Sequence, residues 1–130
     1  MRVSVIFTSA IILVTANANP MRRDDPHILN FRIWSEKSCG ANGQNTGNLG
    51  VWTINKSQTG QCQPTFNAPQ TSPVRGIVLD GKYLAPGCHL TAYTIEGCEG
   101  TGQEVLPQAC SAPPTSESSW LSFSVQCDTV

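Results

Sequence analysis

Six cysteines placed behind an apolar leader constrain this chain more than any other feature. Cys39, Cys62, Cys88, Cys98, Cys110 and Cys127 are even in number. Ahead of them, Arg2 precedes a run over 3–14 (VSVIFTSAIILV) that is broken only by Ser and Thr, and Ala16-Asn17-Ala18 offers small residues at the two positions a signal peptidase reads. The run is shorter than the roughly 20 apolar residues that span a bilayer, and the polar Asn17 and Asn19 and then Pro20 close it. The pattern predicts a signal peptide over 1–18, cleavage after Ala18, and a secreted, extracellular product with no membrane span. In an exported chain, six cysteines read as three disulfides. Zinc is the competing reading, but no CxxC pair is present and only His27 and His89 could assist, whereas structural zinc ligands usually come in close pairs.

Residues 19–29 read as an N-terminal segment, with a single disulfide-rich β domain over 30–130. Within the segment, Arg22-Arg23 lies in a polar, Pro-flanked stretch that either suits a dibasic processing protease or is a frayed, solvated end. Cleavage after Arg23 would leave Arg32, Lys37, Lys56, Arg75 and Lys82 against all nine acids. No basic cluster exists, which argues against nucleic acid or an anionic membrane as partner. A core of this size is modest, so bridges that typically add about 2–4 kcal/mol each matter.

Prolines at 64, 69, 73, 86, 107, 113 and 114 interrupt any long helix. Short runs with strand character recur instead, at 30–35 (NFRIWS), 49–55 (LGVWTIN), 74–80 (VRGIVLD), 89–95 (HLTAYTI), more weakly 103–106, and 119–127 (SWLSFSVQC). In the last, Leu121, Phe123 and Val125 alternate with Ser122, Ser124 and Gln126, which predicts that the two sets point to opposite faces. Glycine-rich turns separate the runs, so the expected fold is all-β: a small antiparallel β-sandwich stapled by three disulfides.

Two halves can be superposed as sequences. Trp34 and Tyr93 are each followed by four residues, a cysteine (Cys39, Cys98) and a glycine-containing turn; the final strands align with Thr71-Ser72 against Ser118-Ser119. If each half closes on itself, the bridges are Cys39–Cys62 and Cys98–Cys110. Cys88 and Cys127 then pair across the ends of two antiparallel strands. On that pairing, Cys127→Ala should harm folding more than Cys62→Ala.

The spacing Tyr93-x4-Cys98-x-Gly100 resembles the aromatic hairpin of the βγ-crystallin Greek key, and the hydroxyl pairs resemble that family's Ser/Thr-Ser ending. The resemblance implies a crystallin-like double Greek key. Calcium sites of that family place two Asp or Asn residues ahead of the hydroxyl pair; here Asn67-Ala68 and Pro114-Thr115 stand there. Calcium prefers several charged oxygens, so no high-affinity calcium site, no other metal and no cofactor are expected. The layout is also similar to small secreted cysteine-rich proteins of filamentous fungi, whose chains end in the pattern seen over 120–127. That resemblance implies an effector-like, elicitor-like or toxin-like role on a host or competitor.

Catalytic groups are sparse. Nucleophilic catalysis needs a base held against Ser or Cys, yet the cysteines are expected to be bridged, His27 falls in the N-terminal segment and His89 opens a strand. The acids Glu36, Asp80, Glu96, Glu99, Glu104 and Glu117 fall mostly in turns. Glu96, Glu99 and Glu104 either share a site or form a solvated acidic hairpin. Asn55-Lys56-Ser57 is an N-glycosylation sequon. Trp34, Trp52 and Trp120 either pack inside or, if exposed, form a platform for a sugar or protein. The expected function is a secreted, monomeric, non-enzymatic binding protein whose partner is an extracellular protein or a cell-wall component. The alternative is an inhibitor of a protease or hydrolase, or an antimicrobial toxin.

Overall fold

A computed structural model describes residues 25–66 and 72–128. The leader, the Arg22-Arg23 pair, Asn67-Ala68 and Thr71 lie outside the described residues. Eight strands form two four-stranded antiparallel sheets: β1 (His27–Trp34), β2 (Asn48–Asn55), β3 (Cys62–Gln63), β4 (Gly76–Leu79), β5 (Cys88–Tyr93), β6 (Gln103–Val105), β7 (Cys110–Ser111) and β8 (Ser122–Cys127). The first sheet runs β2-β1-β4-β7 and the second β3-β8-β5-β6. Each half thus keeps three strands in its own sheet and sends its third strand to the other: β3 pairs with β8, and β7 with β4. This is the expected small antiparallel β-sandwich, with one strand of each half crossed into the other sheet.

Alternation along the strands explains the core. Leu29, Phe31 and Ile33 of β1 point inward, as do Ile77 and Leu79 of β4, facing Leu90 and Ala92 of β5 and Phe123 and Val125 of β8; all are essentially inaccessible. Phe123 is the hub between the sheets, with its ring 5.1 Å from Phe31, 4.8 Å from Phe66 and 6.1 Å from Trp52. Each such aromatic pair contributes about 0.5–1.5 kcal/mol beyond the area it buries.

The two halves share one register. Phe31 pairs with Leu79 and Ile33 with Ile77 in the first, while Leu90 pairs with Val125 and Ala92 with Phe123 in the second. Trp34 stands opposite Gly76, and Tyr93 opposite Ser122. Val74 and Trp120, which precede the last strand of each half, bridge to one another. This register slips the sequence alignment of the final strands by one residue. It also moves the hairpin glycine: the Tyr93 ring lies over Gly102, where a Cβ would sit 2.6 Å from Cε2, and not over Gly100. In the first half the Trp34 ring covers Gly40 in the same way.

The strand crossing decides the disulfides. They are Cys39–Cys110, Cys62–Cys98 and Cys88–Cys127. The first two correct the expected Cys39–Cys62 and Cys98–Cys110. Each hairpin cysteine, Cys39 or Cys98, meets the strand arriving from the opposite half, because its own third strand lies in the other sheet. Both hairpin cysteines hold positive φ, 52° and 59°, a conformation uncommon outside glycine and asparagine. Cys88 and Cys127 pair directly across β5 and β8. With separations of 36 for Cys62–Cys98 and 39 for Cys88–Cys127, the two bridges close loops of nearly equal entropy. The expected difference between Cys62→Ala and Cys127→Ala therefore loses its basis.

Ser122 and Ser124 are buried as well. The hairpin over 94–102 folds onto the outer face of β8, where Ser122 Oγ accepts from Cys98 N at 2.9 Å and donates to Ile95 O at 2.6 Å. In the first half the same place is taken by Gly76, where a Cβ would lie 2.5 Å from Cys39 Sγ and 2.6 Å from Glu36 O, so only glycine fits beneath that bridge. At the N-terminus, β1 begins at His27, with Leu29 fully buried. From residue 25 the chain is fastened to the end of β2: Lys56 N donates to Pro26 O at 2.8 Å, and Ser57 N and Oγ both donate to the Asp25 carboxylate at 2.7 Å. Those two bonds, the hydroxyl's first, hold the Asp25 carboxyl below its ordinary value.

Peptide mapping of the unreduced protein should yield linked Cys39–Cys110, Cys62–Cys98 and Cys88–Cys127 peptides. A Cys39–Cys62 or Cys98–Cys110 peptide would contradict the strand crossing.

Candidate functional site

The outer face of the first sheet carries a groove of about 470 Å³, within the range of about 300–1,000 Å³ typical of small-ligand clefts. Its floor follows from register. Because Leu29, Phe31 and Ile33 face the core, Asn30, Arg32 and Trp34 face outward along the central strand. Arg32 pairs with Val51 on β2 and Val78 on β4, and Val78 pairs with Cys110 on β7. A single guanidinium therefore sits in a row of apolar side chains and a disulfide. Trp34 and Cys39 form one end of the groove; Asn30, Asp80 and Gln108 line the other.

The Arg32 guanidinium makes no hydrogen bond or ion pair among the described residues. Its neighbours are only partly engaged. Asn30 Oδ1 lies 2.7 Å from His27 Nε2, which leaves the Asn30 amide NH2 free. Gln108 Oε1 accepts from Gly81 N at 3.0 Å, which leaves its NH2 free. Asp80 Oδ1 accepts from Lys82 N at 3.0 Å, which leaves Oδ2 available. Gln108 also holds a positive φ of 62°, tied in place by its N–H to Leu79 O at 2.9 Å. Non-glycine residues in that region tend to cluster at functional positions.

The equivalent face of the second sheet is built differently. Thr91 takes the place of Arg32, paired with Glu104 and Ser124, and Ser124 is buried. Beside it, His89 Nδ1 lies 3.0 Å from Glu104 Oε2 and Nε2 lies 3.5 Å from Asp128 Oδ2. Glu104 first, then Asp128, raise the His89 pKa above its ordinary value. Glu104 is thus engaged with His89, while Glu96 and Glu99 are exposed on the 94–102 hairpin.

The other residues marked in the sequence are dispersed. Trp34 and Trp120 are buried, the latter donating Nε1–H to Ser111 O at 3.0 Å, and Trp52 is half-buried. None of the three forms an open platform. Asn55 is half-buried at the end of β2, and the Ser57 hydroxyl of its sequon donates to Asp25. At the described calcium position, Pro114-Thr115, the Lys37 ammonium donates to Thr115 O at 2.6 Å, so a cation is already seated on that carbonyl. Among the described residues, no group of three or more His, Cys, Asp or Glu is placed to hold a metal ion, and no helix is long and apolar enough to cross a membrane. No protein-family model, curated protein or solved structure matches the chain.

In the sequence Arg32 stands only as one base in the charge balance, and Asn30, Val51, Val78 and Gln108 go unmarked. Arg32 and Asn30 carried a signal, because they alternate with Phe31 and Ile33 and so stand on the opposite face of the strand. Gln108 had none, because its contribution depends on the crossing of β7.

The His89 cluster gives a pH prediction. Because the folded pKa is raised, its contribution to stability is complete below the ordinary histidine value and is lost as pH rises through the folded value. An NMR titration of the ring should give a midpoint above 6.5, and Glu104→Gln should lower it. A midpoint at the ordinary value, or one indifferent to Glu104→Gln, would contradict the arrangement.

Proposed function

We propose that this chain is a secreted, non-enzymatic binding protein, effector-like or elicitor-like, that acts on an extracellular component of a host or competitor through the groove of the first sheet. The observation that carries the reading is Arg32: a permanently charged guanidinium, unpaired among the described residues, at the centre of an apolar strip, with half-engaged polar groups beside it. A concave site that joins apolar surface to a few convergent polar groups is how small-ligand sites are commonly built. Three disulfides, an apolar leader and a sparsely charged surface support an extracellular setting. The resemblance to cysteine-rich secreted fungal proteins supports a target outside the producing cell.

The test is affinity capture with the oxidised protein and Arg32→Leu, matched for thermal stability, from plant apoplastic fluid and cell-wall extract. The wild type should retain a component that Arg32→Leu loses. Equal capture by both proteins would contradict the groove reading. A protease or hydrolase held equally by both would favour an inhibitor that works through its loops.

A further inference from the structure

Resting on that reading, the chemistry of the groove narrows the ligand. We propose that it binds an acidic oligosaccharide of the uronate type, in which hydroxylated rings carry a carboxylate, with the carboxylate on Arg32 and ring hydroxyls on Asn30, Asp80 and Gln108. The count of free groups supports this. Arg32 presents a planar fork of donors that matches a carboxylate in a bidentate pair. Among the described residues, the amide NH2 groups of Asn30 and Gln108 are donors without acceptors, and Asp80 Oδ2 is an acceptor without a donor. A sugar hydroxyl both donates and accepts, so one ring can satisfy all three. Val51 and Val78, on either side of Arg32, offer apolar surface to the C–H face of a ring.

The same census disfavours other ligands. An extended peptide gains affinity by pairing its backbone with a free sheet edge, but the groove is centred on β1, whose two edges are already paired with β2 and β4. A phosphate dianion calls for several cations, whereas the groove holds one guanidinium with the Asp80 carboxylate nearby. A single negative charge on a hydroxyl-rich body fits the lining best.

Isothermal titration of the full oxidised protein tests the assignment, with trigalacturonate as probe and its methyl ester, cellotriose and tri-glutamate as comparisons. Trigalacturonate should bind, and binding should weaken about tenfold or more for the ester and for Arg32→Leu, since a charge-assisted pair is lost. Arg32→Lys should recover only part of the affinity, because it keeps charge without the fork. Equal affinity for acid and ester, or indifference to Arg32→Leu, would overturn the proposal. Tighter binding of tri-glutamate would overturn it in favour of an acidic peptide. Failure of trigalacturonate to bind would overturn the ligand class alone if Arg32-dependent capture from wall extract persists; if that capture is absent too, the groove reading falls with it.

Discussion

The crossing of one strand from each half into the opposite sheet is the constraint on which the rest of this structure depends. A small sandwich built from two independent halves would rest mainly on its inter-sheet core. Here β3 and β7 bind each sheet to the other half through backbone hydrogen bonds, and Cys62–Cys98 and Cys39–Cys110 lock the exchange covalently. The aromatic cluster around Phe123 then fills the space between sheets already held in place. This order of dependence explains why glycine stands at Gly76 and serine at Ser122. Both positions lie beneath a folded hairpin, but at Gly76 the sulfur of Cys39 takes the space a Cβ would need.

The crossing also builds the groove. β7 reaches the first sheet only because it leaves its own, and it brings Cys110 and Gln108 to a face whose other residues come from the first half. The bridge from Cys110 to Cys39 fixes the hairpin that lies over Trp34. The two halves share a backbone register but not an outer surface: where one shows Arg32 and Val78, the other shows Thr91 and a buried Ser124. A repeated frame with one diverged face is consistent with function residing in a site carried on the fold.

Much of the frame was legible in the sequence, for physical reasons. Strands long enough to alternate could be read, so β1, β2, β5 and β8 were placed within a few residues. The two-residue strands β3 and β7 carry no periodicity, and prolines near them resemble loop. Missing them hid the crossing, and the Cys39 and Cys98 partners were misassigned although the repeat that suggested them is present in the register. The Cys88–Cys127 pair was readable because it needs only two antiparallel strand ends. Alternation over 121–126 shows that two faces differ, not whether a hairpin covers the one that carries Ser122 and Ser124. Arg32 was visible but unremarkable in one dimension; only the register that sets it between Val51 and Val78, its guanidinium without a partner among the described residues, marks it as a candidate site.

The central claim is that ligand recognition is concentrated on Arg32 and its flanking amides. The most direct measurement is the nitrogen–proton NMR spectrum of the oxidised protein, followed through the Arg32 Nε–H and the Asn30 and Gln108 side-chain amide signals as trigalacturonate is added. The account predicts that these three signals shift together and saturate at one ligand per chain, while signals of Thr91 and His89 on the opposite sheet stay in place. Shifts confined to the second sheet, or spread evenly over the surface with Arg32 unmoved, would contradict it.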